Sequence, residues 1–131
     1  MDISILGEFL NEYLTQGYVS EVDPASLKGC FPIKLVPKKQ GSYRIVHDLR
    51  NLNQFFAPPA FDLPSPMAPL INAYQWCAKV DITNCFLQFP LAADFSYYFG
   101  FKVEGRAFKF NVLPFGWNLS PYLVTKFLRP I

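Results

Sequence analysis

The chain of 131 residues contains one histidine and three cysteines, and none of Cys30, Cys77 and Cys85 lies at metal-ligand spacing from another. That excludes a zinc finger or a disulfide-stapled scaffold and fits reduced thiols in an intracellular protein, cytoplasmic or nuclear. A basic, apolar leader is missing too. Glu8 and Glu12 interrupt the first apolar residues, so no secretory signal is expected. No apolar run is long enough to span a bilayer, and no internal repeat is visible, which excludes a membrane span and a solenoid. Residues 1 to 24 carry no lysine or arginine at all, only Asp2, Glu8, Glu12, Glu21 and Asp23.

What is present points to one packed domain. Hydrophobic residues make up 51% and aromatics 18% of the chain, enough for a core and too much for disorder. Basic charge is concentrated between residues 25 and 53, where Lys28, Lys34, Lys38, Lys39, Arg44 and Arg50 face a single acid, Asp48. Such a stretch suits an anionic partner, although lysines at a hairpin tip also serve solubility.

Leu6, Phe9, Leu10, Tyr13 and Leu14 recur at helical spacing and predict a helix over 4–16, closed by Gly17. Residues 21 to 29 read as a polar connection broken at Asp23-Pro24. Phe31 to Val36 alternates as a strand, Lys38 to Gly41 turns, and Tyr43 to Val46 returns as its partner. His47 stands apart from any Cys, His or acidic cluster, so a ligand role is not favoured. Asp48 to Asn53 reads as a turn held by an Asp48–Arg50 contact or by a main-chain network. An ordered proline-rich crossover follows from Pro58 to Pro69, with a short helix from Ser65 to about Tyr74.

Trp76 to Val80 is apolar and predicts a buried strand that delivers Asp81 at its end, where a carboxylate beside a main-chain carbonyl suits Mg²⁺. A helical turn is expected over 92–96 and a strand pair over 97–103 and 107–112, joined by Glu104-Gly105. Leu113 to Leu119 contains Pro114 and Gly116 and is irregular. Ser120-Pro121 opens a last helix.

Three of these stretches resemble reverse transcriptases. Val36 to Asn53 is similar to their fingers hairpin, Val80-Asp81-Ile82-Thr83-Asn84-Cys85-Phe86 to their first catalytic palm motif, and Leu113 to Pro121 to the motif opening the next palm helix. The order and spacing match, and Pro114-Phe115-Gly116 looks like LTR or tyrosine-recombinase retrotransposon enzymes. The resemblance implies an α+β fold, a fingers hairpin plus partial palm of a right-hand polymerase. Residues of about 1–75 would be fingers-like and those of about 76–131 palm-like.

The implied function is a segment of an RNA-directed DNA polymerase, with template-primer and dNTP as partners. Lys39 and Arg44 would contact the triphosphate, Asp81 and the Ile82 carbonyl would ligate Mg²⁺, Phe86 would lie under the sugar, and Phe115 and Gly116 near the nascent base pair. Asn84 stands where Asp is common, Cys85 where Ala is common, and Phe115 where retroviral enzymes usually carry Gln. The family's Tyr-X-Asp-Asp motif would follow the last helix, so the metal site is expected to need a separate C-terminal palm segment. The other functional class is a domesticated RNA- or protein-binding module or a truncated retroelement product.

Overall fold

The computed structural model describes residues 3–60, 76, 78 and 80–128. Helix α1 (Ile3–Thr15) turns Leu6, Leu10 and Tyr13 into the core at helical spacing. It ends in a Schellman motif: Tyr18 N–H donates to Tyr13 O at 2.9 Å and Gly17 N–H to Leu14 O at 3.2 Å. Gly17 takes φ +76°, the left-handed geometry such an ending needs.

Strand β1 (Val19–Val22) follows at once, where the sequence had suggested only a polar connection from Glu21. The correction has a physical cause. Its ladder partner is β5 (Arg106–Phe110), in the register Val19 to Phe110, so the hydrogen bonds that define it come from far along the chain. β4 (Gly100–Val103) pairs with the other edge of β5, giving an antiparallel sheet ordered β1-β5-β4. The β4–β5 turn has Glu104 at φ 50° and Gly105 at φ 79°, the paired positive values of a two-residue hairpin. Phe99, Phe101 and Phe108 are fully buried at its centre.

The second sheet is the hairpin of β2 (Ile33–Pro37) and β3 (Tyr43–His47). Lys38 N–H donates to Ser42 O at 2.7 Å across its turn, and Gly41 there has φ +73°. One helical turn, α2 (Arg50–Asn53), follows. Later come a 3₁₀ turn over Cys85–Gln88, the short α3 (Ala93–Ser96) and α4 (Ser120–Leu128). The chain is α+β, and helices and antiparallel strands close around one aromatic core.

The strand expected from Trp76 to Val80 is not formed by the residues described there. Trp76, Ala78 and Val80 are irregular and exposed, Trp76 and Val80 at 91% each, while Cys77 and Lys79 lie outside the described residues. No described strand runs beside this stretch, and an apolar run adopts strand geometry only against a ladder partner. The helix expected over 65–74 and the crossover beyond Ala60 also lie outside the described residues. Cys30 and Cys85 are free thiols. No helix among the described residues is long and apolar enough to cross a membrane.

Candidate nucleotide site

The β2–β3 hairpin brings its basic residues to one edge of a cavity of about 480 Å³. Its lining combines Lys38, Tyr43 and Arg44 of the hairpin, Asn84, Phe115 and Gly116 from further along the chain, and Phe9, Glu12 and Tyr13 of α1. Lys38, Lys39 and Arg44 have no carboxylate partner among the described residues, so their charge is available to an anion. Lys34 and Arg50 are not: both bind Asp48, Lys34 at 2.9 Å and Arg50 through a two-pronged contact at 2.9 Å per arm. Arg50, and Lys34 after it, hold the Asp48 carboxyl well below the usual carboxylate range.

The structure brings Arg44, Phe115 and Gly116 together with Lys38 along the cavity wall, which Lys39 does not line. Lys39 lies one residue further out, exposed at the turn. Phe86 sits against Phe115, ring centroids 5.3 Å apart and planes tilted by 45°. It is fixed there by the 3₁₀ turn, whose first residue follows Asn84 in the left-handed region at φ 48°, and by Leu87, buried at its centre. Asp81 and Ile82 are exposed in irregular chain just before that turn.

Gly116 is obligatory where it stands. Its φ is +103°, and a Cβ there would collide with the carbonyl oxygen of His47 at the end of β3. The loop from Leu113 to Leu119 is thus pressed directly on the hairpin backbone. Two amide side chains secure it. Asn53 donates through Nδ2 to Gly116 O at 2.8 Å and accepts through Oδ1 from Asn118 N–H at 3.0 Å. Asn118 in turn donates through Nδ2 to the carbonyls of Asn53, at 3.2 Å, and Phe56, at 3.1 Å. Ser120, fully buried, donates from Oγ to Pro114 O at 3.0 Å.

His47 is part of the core, not of the site. Its Nε2–H donates to Gly100 O at 3.1 Å, its ring packs on Phe110, Phe31 and Phe101, and Nδ1 has no hydrogen-bond partner within bonding distance among the described residues. Burial pushes its pKa down to about 4, against the opposing pull of the Gly100 and Phe31 backbone.

The sequence pointed to the hairpin-tip lysines and Arg44 as able to reach one anion, but not to the α1 wall or the Asn53–Asn118 contacts. An asparagine near a helical turn ordinarily reads as a local turn former, and nothing in Asn51-Leu52-Asn53 announces a partner so distant in sequence.

The family model described as reverse transcriptase (RNA-dependent DNA polymerase) matches residues 36–131, from the hairpin to the last helix. The chain belongs to the reverse transcriptase family. A Gag-Pol polyprotein of Walleye dermal sarcoma virus is 36% identical to this reverse transcriptase chain over 101 residues, covering 75% of the chain and 6% of the relative. A Gag-Pro-Pol polyprotein of Squirrel monkey retrovirus is 32% identical over 129 residues, 91% of the chain and 7% of the relative. One of Human T-cell leukemia virus 2 is 28% identical over 138 residues, 98% and 9%. The chain therefore spans under a tenth of the length of these relatives, and their retroviral character fits an LTR-type element.

Reverse transcriptases generally use Mg²⁺, and the described residues do not by themselves fit such a site. Asp81 offers one exposed carboxylate, and no group of three His, Cys, Asp or Glu side chains gathers anywhere among the described residues. A Mg²⁺ ion demands near-octahedral oxygen ligation, and a pair of ions demands several carboxylates.

Proposed function

We propose that this chain is the fingers and first palm segment of an RNA-directed DNA polymerase, and that its cavity receives the incoming deoxynucleoside triphosphate. The observation that carries this reading is the cavity itself. Lys38 and Arg44, without carboxylate partners among the described residues, line it together with Phe115 and Gly116, and Phe86 packs against Phe115. Phosphates are drawn to the guanidinium and ammonium, Lys39 adding charge at the turn. Phe86 lies under the sugar, and Phe115 and Gly116 lie along the nascent base pair.

In this reading residues of about 1–75 form the fingers and those of about 76–131 the palm, with β1 lent to the palm sheet. Asp81 and the Ile82 carbonyl would supply part of the metal site, and the other carboxylates would come from the palm segment that carries the Tyr-X-Asp-Asp motif. The partners are template-primer and dNTP, in an intracellular compartment. By themselves the 131 residues hold and orient a nucleotide without transferring it, since phosphoryl transfer depends on charge placed at every reacting oxygen.

The test is primer extension on an RNA template in two forms, the chain alone and the chain joined to a segment carrying the Tyr-X-Asp-Asp motif. Extension only by the joined form, abolished by Asp81→Ala, is the expected result. No extension by a well-folded joined form, with RNA binding retained, would overturn the polymerase reading in favour of a non-enzymatic binding module.

A further inference from the structure

We infer that Asn53 is a positioning residue: by holding the Gly116 carbonyl and the Asn118 amide together it sets where Phe115 stands at the cavity wall. The inference rests on the nucleotide reading of that cavity and deepens it. Asn53 itself does not line the cavity; it acts through the loop.

The geometry is unusual in how much one side chain does. The Asn53 carboxamide uses its donor on Gly116 O and its acceptor on Asn118 N–H, so it grips the loop on both sides of Trp117. Asn118 returns two hydrogen bonds to the chain around Asn53. Asn53 is itself fixed, because its backbone N–H donates to Leu49 O at 2.8 Å within α2, and Leu49 is buried. The hairpin that carries Arg44 runs into α2 through Asp48 and Leu49. The clasp therefore ties the cationic wall to the aromatic wall by a route of few rotatable bonds.

Neither aspartate nor alanine fits the role. Aspartate keeps the acceptor for Asn118 but turns a second acceptor towards the Gly116 carbonyl, so that bond is lost. Alanine loses both and leaves Gly116 O and Asn118 N–H to find water. Without the clasp the loop still meets His47 through Gly116 and still has Ser120 bonded to Pro114 O, so the fold survives while the wall loosens.

Trp117, buried between the two clasped residues, reports the loop directly; Trp76 is exposed, so a Trp76→Phe background leaves Trp117 as the only indole. In that background, acrylamide quenching of Trp117 and affinity for dTTP are measured on the full chain for Asn53→Ala, Asn53→Asp and the control Leu52→Ala. Leu52 is buried beside Asn53 and makes none of the hydrogen bonds of the clasp, so it reports general destabilisation.

Both Asn53 variants are expected to raise Trp117 quenching well below their melting temperatures and to weaken dTTP binding about tenfold, the loss of one or two hydrogen bonds to an ordered wall. Leu52→Ala is expected to lower the melting temperature with neither change. Wild-type quenching in both Asn53 variants overturns the inference, as does the same quenching in Leu52→Ala at an equal distance below melting. Raised quenching with unchanged dTTP affinity reduces Asn53 to a structural role and also overturns it. If the parent chain binds no dTTP, the nucleotide reading falls, and the quenching comparison alone decides whether Asn53 sets the loop.

Discussion

The imidazole of His47 lies nearly flat on the ring of Phe110, centroids 5.1 Å apart and planes 27° from parallel, while its Nε2–H reaches the Gly100 carbonyl. That pair joins the end of the β2–β3 hairpin to the centre of the three-stranded sheet. The hairpin that carries Arg44 is therefore anchored to that sheet through a buried, neutral histidine.

Acid should loosen that anchor before it touches the carboxylates. The folded pKa of His47, about 4, is below its ordinary 6.5, so between those values the unfolded chain binds the extra proton. Unfolding free energy should then rise with pH across this window, by at most about 1.4 kcal/mol per unit and roughly 3 kcal/mol in all, and level off above it. Glu21, held low by Arg106, and Asp48, held low by Arg50 and Lys34, lose their contributions only as pH falls below the ordinary carboxylate range. Urea midpoints between pH 4.5 and 7 check this. The slope should vanish in His47→Gln, and a slope that persists there would assign the effect elsewhere.

Gly116→Ala should destabilise the chain by about 2–4 kcal/mol, combining a left-handed backbone with a collision against a carbonyl that cannot swing away. Thermal melts of Gly116→Ala beside Gly7→Ala give the contrast, since a Cβ at Gly7 meets nothing within 4 Å. Equal melting of the two variants would contradict the close approach to His47.

The phosphate wall is predicted to depend on Lys38 and Arg44 more than on Lys39. Each of Lys38→Ala and Arg44→Ala should weaken dTTP or tripolyphosphate binding about tenfold, roughly 1.4 kcal/mol apiece, with a smaller effect from Lys39→Ala. Calorimetric titration at low and high salt separates them. A ranking led by Lys39 would return the assignment to the turn.

Phe86 is predicted to select the sugar. In the joined, carboxylate-complete form, Phe86→Val should raise ribonucleotide use relative to deoxyribonucleotide use, by up to about 3 kcal/mol or roughly a hundredfold. Equal loss of both, with a lowered melting temperature, would mark Phe86 as packing for Phe115 alone.

Much of this arrangement was legible in the sequence, and what escaped shares one cause. The helix ending at Gly17, the hairpin turned at Gly41 and the Glu104-Gly105 turn are all written locally, in side-chain period and in residues tolerant of positive φ. Asp81, Arg44, Phe115 and Gly116 were found through motif resemblance, and the last three do meet at one cavity. β1, the Asn53–Asn118 clasp and the α1 wall were invisible because each depends on a partner far along the chain. Val19 needs Phe110, and Asn53 needs Gly116. Trp76, Ala78 and Val80 are irregular for the same reason, since composition alone cannot provide the neighbour that a ladder requires.

The pairing of β1 with β5 also sets a timetable for synthesis. Val19 emerges from the ribosome about 90 residues ahead of Phe110, its ladder partner. At 5–20 residues per second that is a wait on the order of 4–18 s. Through it, Leu6, Leu10 and Tyr13 have no sheet to cover them. The apolar face of α1 and the open edge of β1 are thus completed together, at the arrival of β5.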